Sequence, residues 1–411
     1  MARSFDLPSF YHSTLVSRIK EIRSLSDPMK RDLSPSLLDF GPVKFHLARH
    51  FGFCYGVENA IDIAYRALDE HPGDRIYLLS EIIHNERVNQ DLRERGIRFL
   101  RTTSGKQLIP FSELRQKDIV IIPAFGTTIE IENELTQKGI DIRTYDTTCP
   151  FVEKVWRRSS QIGENEFTVI IHGKRQHEET QATFSHAQKT APVIVVRDLE
   201  EAQILSRLIS GDGFTAQFYD SFEDRCSKGF DPNKDLVRVG VVNQTTMLAT
   251  ETAAIAELLK SAMAERYGAE QVDDHFADTS DTLCYATNEN QDATRALLDQ
   301  AADTAVIVGG INSSNTSHLV EICKEQLPTY FISSADQISG LSRIEHFDLR
   351  TKKMTQTDNW LNYRPPVRVL LGAGASCPDI ILEEVVAEIT SSFEGIRTNE
   401  DVISDFSESI T

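Results

Sequence analysis

Residues 306–315 read V-I-V-G-G-I-N-S-S-N, a β-branched run that stops in two glycines and then in small polar residues. Such a run predicts a short buried strand, and the Gly-to-Ser/Asn change marks its turn into a helix. The theme recurs as I-I-P-A-F-G-T-T at 121–128, V-I-I-H-G at 169–173, V-G-V-V-N-Q-T-T at 239–246 and V-L-L-G-A-G-A-S at 369–376. Strand candidates by the same criteria are 44–50, 75–79, 118–123, 168–172, 193–196, 237–243, 305–309 and 367–371. Helical patterns follow several of them; after Cys54, residues Val57, Ala60, Ile61, Ala64 and Leu68 keep the spacing of one buried face. Strand–helix alternation from residue 43 to about 390 predicts an α/β fold with parallel sheets. In such sheets ligands bind beyond the carboxyl ends of the strands, where backbone N–H groups point outward. Five turns rich in Ser, Thr and Asn predict a polar, anionic ligand. None completes a phosphate-loop or dinucleotide fingerprint, so a nucleotide is not indicated.

Composition narrows the class. The chain has 411 residues, 43 of them basic and 62 acidic, for a formal net charge of −19. A chain so acidic lacks the clustered Lys and Arg of a sequence-independent nucleic-acid binder. No apolar run approaches the roughly 18 residues of a membrane span, so a soluble protein without membrane attachment is expected. The start, M-A-R-S-F-D-L-P-S-F-Y-H, has no secretory h-region, and Asp6, Glu21, Asp27, Asp32 and Asp39 weigh against an import peptide. Residues 1–42 are therefore read as a loosely ordered extension. Two stretches, 205–235 and 343–366, read as insertions. Residues 394–411, with Glu394, Glu400, Asp401, Asp405 and Glu408 against Arg397 alone, read as a solvated acidic tail. Six widely spaced cysteines are not a secreted disulfide framework, which favours a reducing cytoplasm.

Three cysteines stand at predicted helix starts: Cys54 in F-G-F-C-Y-G, Cys149 in Y-D-T-T-C-P and Cys284 in D-T-L-C-Y-A-T-N. A helix N-terminus favours a thiolate, so these positions suit metal ligation or nucleophilic chemistry. Domain-sized separations would let three α/β units each bring one cysteine to a single cofactor. Cys323, on an amphipathic pattern, reads as core, and Cys226 as incidental. Cys377, in G-A-S-C-P-D, shares the local pattern of Cys149; four thiolates would close a cluster, whereas three would leave one iron open. His84 in E-I-I-H-N and His177 in H-G-K-R-Q-H-E-E-T follow strands, and Glu178 and Glu179 beside the second favour proton chemistry. No C-x-x-C or H-E-x-x-H spacing supports zinc.

Taken together, G-F-C-Y-G, E-I-I-H-N-E, D-T-T-C-P-F-V, H-E-E-T, N-Q-T-T, C-Y-A-T-N, N-S-S-N and G-A-S-C-P-D resemble, in order, the 4-hydroxy-3-methylbut-2-enyl diphosphate reductase family. The resemblance covers about residues 44–390. It implies three α/β domains in a pseudo-threefold cloverleaf around a central iron–sulfur cluster, divided as 43–149, 150–280 and 281–393. It implies one 4Fe–4S cluster held by Cys54, Cys149 and Cys284 with the fourth iron open. His84, His177, Ser313, Ser314, Asn315 and Ser376 would hold the diphosphate, Thr245 would lie by the substrate hydroxyl, and Glu179 matches the proton donor. Like-charge repulsion from the diphosphate, with protonated imidazoles compensating it, is the expected reason that Glu179 keeps its proton. The implied reaction is the last step of the methylerythritol phosphate route, removing an allylic hydroxyl as water to give isopentenyl and dimethylallyl diphosphate.

Ferredoxin or flavodoxin is the implied electron donor, with Lys154, Arg157, Arg158, Lys174 and Arg175 as candidate docking residues. The implied location is cytoplasmic, or the plastid stroma if the source is a plant. The extension and insertions resemble the longer, plant-type branch. Phe125 stands where many members have His, and Cys377 where many have Ala, so Cys377 is not expected to ligate iron. The rival readings are another open-iron enzyme, of quinolinate-synthase or dehydratase type, and a non-enzymatic iron–sulfur sensor.

Overall fold

The structure, a computed structural model, describes residues 5–211, 215–277, 282, 284–361 and 364–410. The expected boundary between 280 and 281 lies outside the described residues. Contacts divide the chain into two compact units. The first comprises Met1–Glu58, His84–Val88 and Tyr285–Thr411; the second comprises Asn59–Ile83 and Asn89–Cys284.

The first unit is built on a sheet ordered Ser36–Asp39, Val43–Leu47, Val367–Ala373, Thr304–Val308, Thr329–Ile332. Its first two strands form an antiparallel hairpin and all other pairs are parallel. The hairpin turn needs Gly41, whose φ of +90° strains any L side chain, and Asp39 braces it by accepting from the Gly41 N–H at 2.9 Å. Strand Thr304–Val308 is buried at every position, as a parallel strand covered on both faces must be. On one face lie Phe45, Leu47, Val369, Leu371, Val385 and Ile389; on the other Ala293, Leu297, Ile307, Leu319, Cys323 and Phe331.

Two segments differ from their sequence reading. The N-terminal stretch is ordered: helix Leu15–Ser26 buries Leu15, Val16 and Ile19 in the first core, and Ser36–Asp39 is the edge strand. The acidic tail forms helix Asn399–Ile410, whose Val402 and Phe406 enter the same core. Short helices of mixed composition are marginal alone, and their apolar stripes matter only once a partner surface exists. The 343–366 insertion contributes the hairpin Arg343–Asp348/Lys353–Asp358, with Trp360 and Leu361 buried.

The second unit carries two all-parallel sheets among its described residues. One is ordered Arg98–Phe99, Ile76–Leu78, Ile119–Ile121; the other Val193–Val196, Thr168–His172, Val239–Asn243, Phe276–Ala277. The 205–235 insertion covers the second sheet, with Phe218, Phe222 and Phe230 in its core. All eight expected strands are present, so the α/β reading holds. One strand sits elsewhere than the sequence division placed it: Val43–Leu47, which precedes Cys54, pairs with Val367–Ala373. Among the described residues no helix is long and apolar enough to cross a membrane.

Candidate active site

In the first unit the expected diphosphate residues collect around three chain turns. Ser313 ends the turn after Thr304–Val308 and caps helix Ser314–Lys324, its side chain accepting from the Thr316 N–H at 3.2 Å. Asn315 Oδ1 accepts the Ala375 N–H at 3.0 Å, joining this helix start to the turn that carries Ser376. Ser376 Oγ donates to the His84 carbonyl at 3.1 Å, bringing the third turn in. Gly310 permits the approach: a Cβ there would stand 2.0 Å from the His84 carbonyl oxygen. His84, Ser313, Ser314, Asn315 and Ser376 are all buried. Asn315 Nδ2 is enclosed and has no hydrogen-bond partner among the described residues. A buried amide N–H₂ without an acceptor is costly, and beside a helix N-terminus it suits an anion. Sequence reading missed His318, buried one turn after Ser314, with Nε2 3.5 Å from Ser314 Oγ and Nδ1 2.7 Å from Glu321. The i, i+4 and i, i+3 spacings are the signal that could have found it.

Cys54 belongs to this unit. It directly precedes helix Tyr55–Glu70, its N–H donates to the Ala375 carbonyl at 3.1 Å, and its own carbonyl accepts from Glu58 at 2.9 Å. Cys377 lies next to Ser376 but inside the apolar core, where burial pushes its thiol far above the ordinary value. Cys323 is likewise buried, its thiol pushed up to about 12.

In the second unit, strand Thr168–His172 leads to His177, the cap of helix Glu178–Ala187. His177 Nδ1 accepts the Glu179 N–H at 3.2 Å. Phe125 packs edge-on against its ring, with centroids 5.7 Å apart. Glu179 is 1% exposed, and its Oε1 accepts the Thr245 N–H at 2.5 Å. Burial raises its carboxyl to about 7, although the bonds from Thr245 pull the other way. Loss of hydration raises this carboxyl before any substrate is bound, and the repulsion expected from a bound diphosphate would act in the same direction. Glu178, read from the sequence with Glu179 as favouring proton chemistry, is also raised by burial, to about 8, and its Oε2 is enclosed without a hydrogen-bond partner among the described residues. Adjacent helix positions face different ways, so no periodicity reveals that Glu179 is buried and Glu178 Oε2 enclosed.

Cys149 caps helix Pro150–Glu164, with Pro150 at its first position as expected. Its N–H donates to the Ala124 carbonyl at 3.0 Å, and the preceding turn is pinned by Thr147 Oγ1 to the Ile122 carbonyl at 2.6 Å. Cys284 is buried and directly precedes helix Tyr285–Leu297. All three cysteines are reduced thiols at helix starts, a soft donor set that fits an iron–sulfur group. Among the described residues no three His, Cys, Asp or Glu side chains gather as around a single metal ion. A 4Fe–4S cluster needs no such gathering, since each thiolate takes its own iron.

Comparison with known proteins agrees with this geometry. The sequence profile of the family described as LytB protein matches residues 45–390. A protein of Gloeobacter violaceus named 4-hydroxy-3-methylbut-2-enyl diphosphate reductase is 43% identical over 389 residues, 93% of this chain and 88% of that one. A protein of the same name from Thermosynechococcus vestitus is 43% identical over 350 residues, 85% of each chain. The solved structure of (E)-4-hydroxy-3-methyl-but-2-enyl diphosphate reductase, the terminal enzyme of the non-mevalonate pathway, is 26% identical. It superposes with a TM-score of 0.50 over 84% of this chain and 99% of that one. The Plasmodium falciparum E-1-hydroxy-2-methyl-but-2-enyl-4-diphosphate reductase, 20% identical, shares the fold with a TM-score of 0.61 over 89% of this chain and 99% of that one. The chain belongs to the LytB family.

Proposed function

We propose that this chain reduces (E)-4-hydroxy-3-methylbut-2-enyl diphosphate to isopentenyl and dimethylallyl diphosphate. The allylic C–O bond breaks and a C–H bond forms; two electrons and two protons enter, and water leaves. The observation that carries the reading is Glu179, a carboxyl beside His177 that burial keeps protonated near neutral pH. A general acid with a pKa close to the working pH is the group this dehydroxylation needs.

Cys54, Cys149 and Cys284 are the proposed ligands of one 4Fe–4S cluster, which when bound supplies the electrons and an open iron for the leaving oxygen. The arrangement that accompanies it is the cloverleaf of three α/β domains implied by the resemblance, with Val43–Leu47 counted in the sheet of the C-terminal domain. The protein's own groups do the rest. Ser313, Ser314, Asn315, Ser376, His84 and His177 hold the diphosphate through side-chain donors and a helix N-terminus, each charge-assisted bond contributing about 1.5–3 kcal/mol. Thr245 meets the substrate hydroxyl, and its N–H fixes the Glu179 carboxyl from which the proton is delivered. In a chain of net charge −19, such local donors replace a basic pocket. Ferredoxin or flavodoxin is the proposed electron donor, docking on Lys154, Arg157, Arg158, Lys174 and Arg175.

The test is anaerobic turnover of the reduced holoenzyme with the hydroxylated allylic diphosphate. Formation of both C5 diphosphates is expected; their absence from protein with its full iron content refutes the reading.

A further inference from the structure

The N-terminal helix packs against the turn that presents Cys54, all within the first unit. Its start is anchored by Glu383, which accepts from Thr14 Oγ1 at 2.8 Å, from the Leu15 N–H at 3.1 Å and from Ser13 Oγ. One turn on, Lys20 Nζ stands 2.5 Å from Asp379 Oδ1, with the two side chains 32% and 14% exposed. The same ammonium lies 4.3 Å from the centroid of the Phe51 ring. Between them passes Gly52, φ +81°; a Cβ there would stand 2.7 Å from both Asp379 Oδ1 and Lys20 Nζ. Tyr11 packs edge-on against Phe53 at 5.7 Å, and Phe5 against Tyr55 at 5.1 Å. Phe51, Gly52, Phe53 and Tyr55 thus all meet the extension. Cys54 is joined by its N–H to Ala375, neighbour of Ser376.

We propose that Lys20 is a positioning residue for Cys54: by bridging Asp379 and the face of Phe51 it clamps the 51–54 turn onto the turn that carries Ser376. Lys20 touches neither the substrate nor the cysteine and acts through Phe51 and Asp379. A part-buried ion pair and a cation–π contact hold a loop in one place more effectively than either does on its own. The extension is then a strap that keeps an iron ligand and a diphosphate ligand in register. This rests on Cys54 being a cluster ligand.

The test follows anaerobic holoenzyme treated with an iron chelator and iodoacetamide, with alkylation of Cys54, Cys149 and Cys284 timed separately by peptide mass spectrometry. Lys20→Met is expected to speed alkylation of Cys54 about tenfold, the effect of losing one such clamp, with Cys149 and Cys284 unchanged. Lys20→Arg, which can keep both contacts, is expected to restore the slow rate. A wild-type rate at Cys54 in Lys20→Met overturns the proposal. So does equal acceleration at all three cysteines, which is general loosening. The ligand assignment is read separately, from the iron content of Cys54→Ser: full iron there defeats the assignment and leaves the alkylation pattern to decide the clamp.

Discussion

Glu179 offers the sharpest quantitative test, because its environment converts directly into a pH profile. A carboxyl whose pKa stands at about 7 instead of the ordinary 4.5 holds its proton about 3 kcal/mol more firmly than one in water. Below pH 7 the free enzyme carries the acid; at pH 8 about nine-tenths of molecules have lost it. The ratio kcat/KM is therefore expected to be level up to about pH 7 and then to fall close to tenfold per pH unit. Replacing Glu179 with Gln keeps an acceptor for the Thr245 N–H and removes the proton, so turnover is expected to drop by about 10²–10⁴ with iron content intact and with KM little changed. The alkaline limb should vanish from what activity remains. The same shift has a stability consequence. Between pH 4.5 and 7 the native protein keeps a proton that the unfolded chain has released, so stability falls as pH rises through that window. Glu179→Gln, with nothing to ionise, is expected to be more stable than wild type above pH 7 by up to about 3 kcal/mol, and to lose the advantage below pH 4.5. Anaerobic kinetics and thermal unfolding across pH 4–9 measure both. An alkaline limb centred below pH 5, or one that survives in the Gln variant, would refute the reasoning.

Other consequences follow from single contacts. Asn315→Ala removes the enclosed amide proposed to meet the diphosphate, and KM is expected to rise by about ten- to a hundredfold, the effect of losing one hydrogen bond to a charged group; unchanged KM in steady-state assays refutes that role. Gly310→Ala forces a Cβ against the His84 carbonyl, with an expected cost of about 1–3 kcal/mol in stability and weakened substrate binding, read by unfolding and by KM. Cys377→Ala leaves a small gap in the core and should lower stability by about 1 kcal/mol while retaining all iron; loss of the cluster refutes its assignment as core.

Much of this protein is legible from local sequence. The β-rich runs, five of them ending in Gly or small polar residues, located eight of the fifteen strands among the described residues, since such a run with a breaker after it has few other ways to bury itself. Cys149 before Pro150 reads as a helix cap because proline supplies the first turn and donates no N–H. The order of the eight motifs sufficed to place the chain in its family. What tertiary structure alone decided are quantities that depend on partners distant in the chain. Glu178 and Glu179 look alike as letters, and only burial by the surrounding strands and turns sets where each titrates. His177 turns its Nδ1 onto the Glu179 N–H only because the chain after Thr168–His172 bends into a helix at that point. The extension and the acidic tail, polar enough to pass for solvated segments, acquire their structure from a core assembled by residues hundreds of positions away. Periodicity reports which face of a segment is apolar; what covers that face, and how much water it excludes, exists only after the chain has closed on itself.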